Sequence, residues 1–492
     1  MYKKITFILI FLNAILFVVF SPGGIPAAEI EEVRLTLEEV SALALSNNFD
    51  IQLAKFDAQY KETDLDKAKS IYDTVIETEA KFKDDQRKTA SNFIGTKSET
   101  RDYNFGISQK LPTGTTLKAD FDNRRSWDNS GYITVNPAHD SSANLTLEQE
   151  LGKNFFGIAD RSDVKITKID IENAQYTSLD KIERMLSDVH KAYWRIAQYL
   201  SIAGIREEML SEAERLFRIN KEKFRRGIIE EPQLVASEVN VRQREIDLML
   251  VRNELEYYIN QLKLLLNLED KDKIILPEES LDLAIQPVEF SQALETAFRN
   301  RRDYFMAKNE VGSKDIKLVM KKNNLWPEIN LEASVTRNGL DRQFSEAVKG
   351  ISSEDNPEYF LGLRIEFPLQ NREAKSEFNK AKIEKAKALL SLKKIERLIL
   401  VDINDSVRSC RILEQRANKQ KKVVELQEEK LAAETERYKY GRSDTDTVIR
   451  YQDDLLLSRL LYAQALLDYK EALIDLSLKE NVLLGRFWKD TL

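Results

Sequence analysis

Two long segments of this sequence contain no proline, and they constrain the fold more than any other feature. They span residues 160–226 and 372–440, and the second also lacks glycine. An α-helix rises 1.5 Å per residue, so about 67 residues form an arm roughly 100 Å long. Because no single globular core needs a helix of that length, the sequence predicts an elongated and mainly helical protein.

Each long segment is followed by a glycine and a second helical segment, which predicts two helical hairpins. The returning helices are predicted at residues 232–268 and 446–484. In the second long segment apolar residues recur every seven positions, a period typical of left-handed coiled-coil packing. This seam consists of Leu389, Ile403, Cys410, Ala417, Val424, Leu431 and Tyr438, with Glu396 as the one break in the repeat. Polar residues stand beside the seam, which predicts that part of this surface stays wet; they include Gln420, Gln427 and Glu434.

The chain reads as two copies of one unit. Residues 45–51 align with 298–304, and residues 222–227 align with 436–441. Recurrence of such segments in the same order indicates an internal duplication. The sequence therefore predicts a first structural repeat at residues 29–286 and a second at residues 287–492. Each repeat opens with a segment of helical periodicity, predicted as one helix at residues 35–68 and one at 287–322.

Five further segments alternate apolar and polar residues and are predicted to be β-strands. They are residues 103–111, 117–122, 144–151, 329–335 and 359–369. About ten residues with one apolar and one charged face suit a transmembrane barrel strand, with lipid outside and water inside. A half-buried strand of a soluble sheet has the same alternation, so both interpretations stay open at this point. The polar segments 123–141 and 336–357 are predicted to be exposed loops.

Residues 1–28 have the features of a signal peptide for export. A basic start at Lys3 and Lys4 precedes a mostly apolar run over residues 5–20. A helix-breaking segment then leads to Ala27 and Ala28, small residues that suit cleavage. The mature chain is therefore predicted to lie outside the cytoplasm. An uncleaved N-terminal anchor is the alternative.

The composition argues against most catalytic and cofactor chemistry. The chain has one cysteine, Cys410, and two histidines, His139 and His190. This excludes a disulfide framework, and no metal-ligand spacing, phosphate loop or Ser-His-Asp set is present. Cys410 is predicted to be a small seam residue and His190 a packing or surface residue. A net charge of −7 argues against nucleic acid as a partner. We therefore predict no enzyme activity, no cofactor and no metal site.

Several segments together resemble the TolC-type outer-membrane efflux protein family. Residues 35–48 resemble its opening helix, 325–331 its entry into a strand and 367–369 its exit toward a long helix. Residues 437–449 resemble its arg-tyr-x-x-gly turn before an aspartate-valine-leucine segment. The chain departs from the family in having Phe49 where a proline is usual. It also has an additional strand pair around residues 112–114.

The resemblance implies a fold, a function and a set of partners. It implies a mainly α protein in which duplicated helical hairpins form a periplasmic α-barrel. Three copies would also form an outer-membrane β-barrel, with four strands from each protomer in a ring of twelve. Such a homotrimer would be the passive channel of a tripartite efflux or type I secretion system. Its partners would be a periplasmic adaptor (membrane fusion) protein, an inner-membrane transporter and outer-membrane lipid. A periplasmic coiled-coil adaptor or scaffold protein is the alternative function.

The hairpin tips are the predicted site, because a channel needs a gate and a surface for its adaptor. A glycine that ends a helix in the left-handed conformation would form each turn. In a trimer each acidic residue near the tip becomes a ring of three, which attracts cations. Acidic residues at a helix N-terminus are also favoured by the helix dipole alone. The residues predicted for the gate and adaptor docking are Gly227, Glu230, Glu231, Gly441, Arg442, Asp444 and Asp446.

Overall fold

The computed structural model of the protein describes residues 31–88, 95–268, 273–282 and 288–487. The predicted signal peptide, residues 1–28, lies outside the described residues. The predicted boundary between the repeats, at residues 286 and 287, also lies outside them, so the division of the chain remains a prediction.

The described residues form eleven α-helices and eight β-strands. In chain order the elements begin with β1 (Glu31–Leu35), α1 (Leu37–Asn47), α2 (Phe49–Glu62), α3 (Asp64–Lys69), β2 (Thr74–Asp85), β3 (Ser98–Lys110), β4 (Thr115–Asp128), β5 (Ala138–Glu150), α4 (Ile158–Arg225) and α5 (Glu231–Leu265). They continue with β6 (Lys273–Pro277), α6 (Phe290–Asn300), α7 (Arg302–Asn323), β7 (Glu328–Asp341), α8 (Phe344–Ser353), β8 (Glu358–Glu366), α9 (Arg372–Lys439), α10 (Thr445–Lys479) and α11 (Leu483–Phe487).

The four long helices form the two predicted hairpins. Helices α4 and α9 each have 68 residues, and their returning partners α5 and α10 each have 35. At 1.5 Å per residue, α4 and α9 are about 100 Å long. The hairpins lie side by side, and α10 packs against both α9 and α4. The predicted helical arms are therefore confirmed.

Neither predicted opening helix is continuous: the first is divided into α1, α2 and α3 and the second into α6 and α7, so these two predictions were wrong in detail. The first breaks at Asn48, whose extended backbone separates α1 from α2, and the second breaks at Arg301, between α6 and α7. Asn48 accepts a hydrogen bond from the Ile51 amide (2.9 Å) and donates one to the Leu265 carbonyl (2.7 Å). Arg301 forms ion pairs with Asp303 (2.6 Å) and with Asp402 (3.0 Å) of α9. At both breaks the helix is interrupted at a residue whose polar side chain bonds to a helix of one of the hairpins.

The first predicted helix also starts two residues too early, because Leu35 belongs to a strand. Strand β1, which ends at Leu35, pairs in parallel with β6. Helix α1 begins only after Thr36, whose hydroxyl accepts from the Glu39 amide while the Glu39 carboxylate accepts from the Thr36 amide. This capping box fixes the start of α1 at residue 37.

Six strands form one antiparallel sheet in the order β2-β3-β4-β5-β7-β8. The additional strand pair predicted around residues 112–114 is the β3–β4 hairpin, and it lies inside this sheet, between β2 and β5. The five predicted strands are all present. Sequence reasoning missed β2, an edge strand of 12 residues.

The two predicted loops are largely ordered secondary structure. Strand β4 continues to Asp128 and β5 begins at Ala138, so only the middle of residues 123–141 connects strands. Polar pairs hold these strand ends, including Arg124 with Asp102 (2.7 Å) and Ser141 with Asn123 (2.8 Å). In the second predicted loop, residues 336–357, β7 continues to Asp341 and α8 follows. Gly339 permits the close contact of α8 with the sheet, because a Cβ there would lie 2.1 Å from the Ala347 carbonyl oxygen.

The main hydrophobic core lies where the short helices pack around α4. Its members include Ile51, Leu186, Tyr193, Leu262 and Leu467, all almost fully buried. Smaller clusters follow the hairpins toward their tips, the last one formed by Leu216, Tyr438 and Val448. Most buried apolar residues are therefore concentrated around the short helices, and few are buried toward the hairpin tips.

Cys410 and His190 have the packing roles that the sequence predicts. Cys410 is 1% exposed, its thiol lies 3.4 Å from the Ala472 carbonyl oxygen, and burial raises its pKa to about 11. His190 is equally buried, with Nε2 at 2.8 Å from the Ser41 hydroxyl, and burial lowers its pKa to about 4. A thiol with a raised pKa is a poor nucleophile.

Replacing Asn48 tests the break between α1 and α2. Asn48→Ala removes the helix cap and leaves the half-buried Leu265 carbonyl without its donor. We expect the free energy of unfolding to fall by about 1–3 kcal/mol, measured by urea denaturation followed by circular dichroism. Ser46→Ala is the control, because Ser46 is exposed and its hydroxyl bonds only within the same turn. Equal stability of the two variants would contradict the role of Asn48.

Candidate functional site

The two hairpin turns have the same backbone geometry. Gly227 has φ +72° and Gly441 has φ +70°, a left-handed conformation in which a side chain is strained. The amide after each glycine bonds to the carbonyl five residues earlier, from Ile228 to Lys223 and from Arg442 to Arg437, both at 2.9 Å. This pattern is the Schellman motif of helix C-termini. The predicted role of both glycines in ending the arms is confirmed.

The predicted acidic residues follow these turns at the starts of α5 and α10. Glu230 precedes α5, Glu231 is its first residue, and both are exposed. Asp444 caps α10, accepting from the Thr447 amide (2.8 Å) and hydroxyl (2.9 Å). The Thr447 amide hydrogen bond lowers the pKa of Asp444. Asp446 is exposed in the first turn of α10.

Asp444 therefore has a structural role as well as a charge. Capping accounts for an acidic residue at this position without any gate. Asp446, Glu230 and Glu231 do not act as side-chain caps, and Arg442 is exposed in the turn before α10. Whether any of these residues forms a gate or a docking surface remains a prediction.

A buried ring of three polar side chains joins the two hairpins just behind the turns. The Asn220 amide donates to the Thr445 hydroxyl (3.2 Å), and the Tyr438 hydroxyl donates to the Asn220 carbonyl oxygen. The 3.1 Å contact between the Thr445 and Tyr438 hydroxyls closes the ring. Since the Tyr438 proton is already donated, Thr445 is the donor there. Asn220 and Thr445 are fully buried and Tyr438 is 4% exposed.

A lysine strengthens the same junction. The Lys223 ammonium donates to the Tyr438 carbonyl (3.0 Å) and lies 3.6 Å from the centroid of the Tyr438 ring. This geometry combines a hydrogen bond with a cation–π contact. Burial lowers the pKa of Lys223 and raises that of Tyr438. The tip of the first hairpin is therefore bound to the tip of the second through both a neutral and a charged contact.

Further polar pairs continue the junction along the arms. Arg244, 6% exposed, forms an ion pair with Asp453, and the Asn240 amide lies 3.3 Å from the Gln452 carbonyl oxygen. Both pairs connect α5 with α10. Glu434, predicted to stay wet beside the seam, is instead 6% exposed and bonded to Arg437 (3.0 Å). For Glu434 the prediction was wrong, because a neighbouring arginine lets the carboxylate be buried.

Sequence reasoning found Tyr438 as a seam residue but missed Asn220 and Thr445. The only local signal for Asn220 is its place four residues after Leu216, on the same buried face of α4. A single polar residue on an apolar stripe is ambiguous in a sequence. Its partners here are more than 200 positions away.

The described residues offer neither a metal centre nor a transmembrane helix. Across the described ranges, no three His, Cys, Asp or Glu side chains are grouped as a metal ion would require. Nor does any described helix combine the length and apolar character needed to cross a membrane.

Known structures share this architecture. The chain is similar to the CmeC outer membrane channel of Campylobacter jejuni, with a TM-score of 0.65 and 14% identity over 93% of this chain and 87% of that one. The open-state MtrE outer membrane channel of Neisseria gonorrhoeae matches with a TM-score of 0.65 and 15% identity, over 96% of this chain and 95% of that one. The outer membrane protein VceC of Vibrio cholerae matches with a TM-score of 0.64 and 13% identity, over 90% and 95%. In sequence, no family model and no curated protein matches the chain.

The fold is therefore one that solved outer-membrane channel proteins share. At the level of fold, it confirms the resemblance to the TolC-type outer-membrane efflux proteins that the sequence segments indicate. The matches extend over 90–96% of this chain. Because the matched proteins are 13–15% identical to this chain, the likeness concerns the fold.

Removing one hydroxyl tests the buried ring. Tyr438→Phe leaves the buried Asn220 carbonyl oxygen without its donor, which costs about 1–2 kcal/mol. We expect amide hydrogen exchange at residues 218–224 and 445–449 to accelerate about 5- to 30-fold. Tyr440→Phe is the matched control, because Tyr440 is 73% exposed. Unchanged exchange rates in Tyr438→Phe would show that the ring does not hold the tips together.

Proposed function

We propose that this chain is the outer-membrane channel of a tripartite efflux or type I secretion system and acts as a homotrimer. The observation that carries the proposal is a sheet with an exposed apolar face, joined directly to helical arms about 100 Å long. Strand β5 leads into α4, and strand β8 leads into α9. A membrane pore and a conduit reaching from it are thus built from one continuous chain.

The exposed face of the sheet supports contact with lipid. Leu145 is 60% exposed, and Tyr359 and Leu361 on β8 are each 76% exposed. These side chains alternate with polar residues on the opposite face. A contiguous exposed apolar surface of this kind marks a binding or membrane surface. In a barrel the apolar face would meet lipid and the polar face would line water.

Exposed apolar stripes on the helices support association of several copies. On α2, Phe49, Leu53, Phe56 and Tyr60 are each at least 59% exposed and recur at three and four positions. On α5, Leu250, Tyr257 and Leu264 are each at least 57% exposed and recur every seven positions. Such stripes are typical of a helix whose partner helix is missing. Neighbouring copies in a ring of three would cover them.

The partners and the gate belong to the same proposal. A passive conduit needs an energised inner-membrane transporter and a periplasmic adaptor, and the hairpin tips are where an adaptor would dock. Three copies would place three Glu230, Glu231, Asp444 and Asp446 side chains around one axis. Rings of carboxylates attract cations and raise their local concentration.

Cell fractionation tests the proposed function. We expect the full-length chain in the outer-membrane fraction, as a trimer that detergent extracts and heating dissociates into monomers on a gel. A C-terminally tagged periplasmic protein expressed in parallel controls for leakage between fractions. A monomer or dimer in the soluble periplasmic fraction would contradict the channel and favour the periplasmic adaptor or scaffold.

Neutral substitutions at the tips distinguish an effect of the acidic charges on ion selectivity from their effect as helix caps. Asp446→Asn removes three charges per trimer and leaves the cap of α10 intact. If the ring attracts cations, the cation-to-anion permeability ratio in planar bilayers should fall by about twofold or more. Asp444→Asn should act similarly, because asparagine also caps helices.

The control for these variants is an acid far from the tip. Glu256→Gln on α5 is exposed and lies 25 residues from Glu231, about 37 Å along the helix. It should leave selectivity unchanged. Asp444→Ala removes the helix cap as well as the charge. If Asp446→Asn leaves selectivity unchanged, as Glu256→Gln should, and only Asp444→Ala changes it, these acids stabilise the helix ends alone and the gate proposal fails.

A further inference from the structure

The sheet has more strands than the sequence resemblance implies, and all six belong to one regular ladder. Consecutive pairings run without interruption from β2 to β8, and every pair is antiparallel. Its two edge strands, β2 and β8, have 12 and 9 residues and are exposed along almost their whole length. Long exposed edges with apolar side chains favour pairing with another strand.

The β3–β4 hairpin shares the two-faced pattern of the sheet. One row of paired residues is apolar across all six strands and consists of Ile76, Ile107, Ala119, Leu145, Val335 and Tyr359. The adjacent row, on the opposite face, consists of Glu77, Gly106, Asp120, Asn144, Thr336 and Glu358. A hairpin folded away from the sheet would have no reason to keep both rows in register. The additional strands therefore carry the same lipid-facing and water-facing surfaces as their neighbours.

We propose that three copies close an eighteen-stranded barrel, in which β2 of one copy pairs with β8 of the next. This proposal rests on the proposed function, which supplies the trimer and the membrane. Six strands from each of three copies give eighteen. Because six is even and the sheet is wholly antiparallel, β2 and β8 run in opposite directions, so the junction between copies continues the antiparallel ladder. Closure removes both exposed edges.

The number of strands sets the width of the pore. Barrel diameter grows roughly linearly with the number of strands, so eighteen strands make a barrel about 1.5 times as wide as twelve. Its cross-section is then about 2.2 times larger. This is the range in which porin barrels enclose an aqueous channel. The partner at each sheet edge is thus a second copy of this chain, and the consequence is a wide outer-membrane opening.

Paired cysteines distinguish this barrel from a ring of twelve that excludes β3 and β4. Glu79, Asn104, Asp122 and Ser142 lie in one row across β2, β3, β4 and β5. Neighbouring strands are about 4.8 Å apart, so β2 and β5 are about 14 Å apart in the six-stranded sheet. A disulfide needs Cα atoms within about 7 Å. If β3 and β4 left the ring, β2 and β5 would become neighbours instead.

The experiment uses the full-length trimer in outer membranes, in a Cys410→Ala background that has no other thiol. We expect Glu79→Cys to form a disulfide within one chain with Asn104→Cys, and Asp122→Cys with Ser142→Cys. The control pair, Glu79→Cys with Ser142→Cys, should not react. A Glu79–Ser142 disulfide would overturn the eighteen-stranded barrel and favour twelve strands.

The junction between copies needs a second set of variants. Glu79→Cys is combined in turn with Phe360→Cys, Arg364→Cys and Glu366→Cys, which lie on the same face of the sheet as Glu79. At least one pair should link chains into dimers and trimers that survive heating without reductant, and single cysteines should not. A link within one chain, or no link in any pair, would contradict closure through β2 and β8. If no heat-sensitive trimer is present in the background variant or the wild-type chain, the proposed function fails instead.

Discussion

The covering of apolar surface along two 68-residue helices is the constraint on which the rest of the structure depends. Such helices cannot bury all their apolar residues in one core. They pack against each other along their length and against shorter helices near the middle of α4. The main core gathers there around Tyr193 and Leu262. Toward the tips the clusters shrink to three buried residues each. Toward the tips, polar contacts therefore contribute more to the alignment of the two hairpins than apolar packing does.

Those polar contacts fix how the two hairpins are aligned. A long apolar seam tolerates sliding by one heptad, since every seventh residue is equivalent. The ring of Asn220, Tyr438 and Thr445 is satisfied in only one alignment, and any slip leaves buried polar groups unpaired. A second fixed point lies at the other end of α10, where Glu183 of α4 is fully buried and accepts hydrogen bonds from the Asn481 side chain (2.9 Å) and the Leu484 amide (3.1 Å), both just after α10. The hairpins are thereby held in register at both ends.

The sequence predicted whatever depends on local periodicity. The helical arms follow from apolar spacing and from the absence of proline, and five strands follow from alternation. Strand β2 was not predicted because Thr78 and Ala80 lie on its apolar face and weaken the alternation of apolar and polar residues. Helix α8 was not predicted because its segment has only ten residues and its packing depends on a glycine in β7. The break at Asn48 depends on a carbonyl of α5 and cannot be read from neighbouring residues.

The candidate site divides in the same way. The two turn glycines could be predicted, because the left-handed end of a helix is a local requirement. The buried ring could not be predicted, because it joins side chains from three helices that are far apart in the sequence. For the acidic residues the structure supplies a local explanation only for Asp444, which caps α10. Asp446, Glu230 and Glu231 keep their charge exposed, and they are therefore the residues at which a ring effect can be separated from capping.

The widths of the two proposed tubes are consistent with each other. Next to the sheet, the helices of each copy are α3, α4, α7 and α9, so three copies would contribute twelve. At about 9 Å between axes, twelve helices make a ring with a circumference of about 110 Å. Eighteen strands about 4.8 Å apart and tilted by about 40° also span roughly 110 Å, whereas twelve strands span only about 75 Å. An eighteen-stranded barrel would therefore continue the proposed helical tube without a step in diameter. The β3–β4 hairpin supplies the difference, and the narrowest part of the conduit would then lie at the hairpin tips.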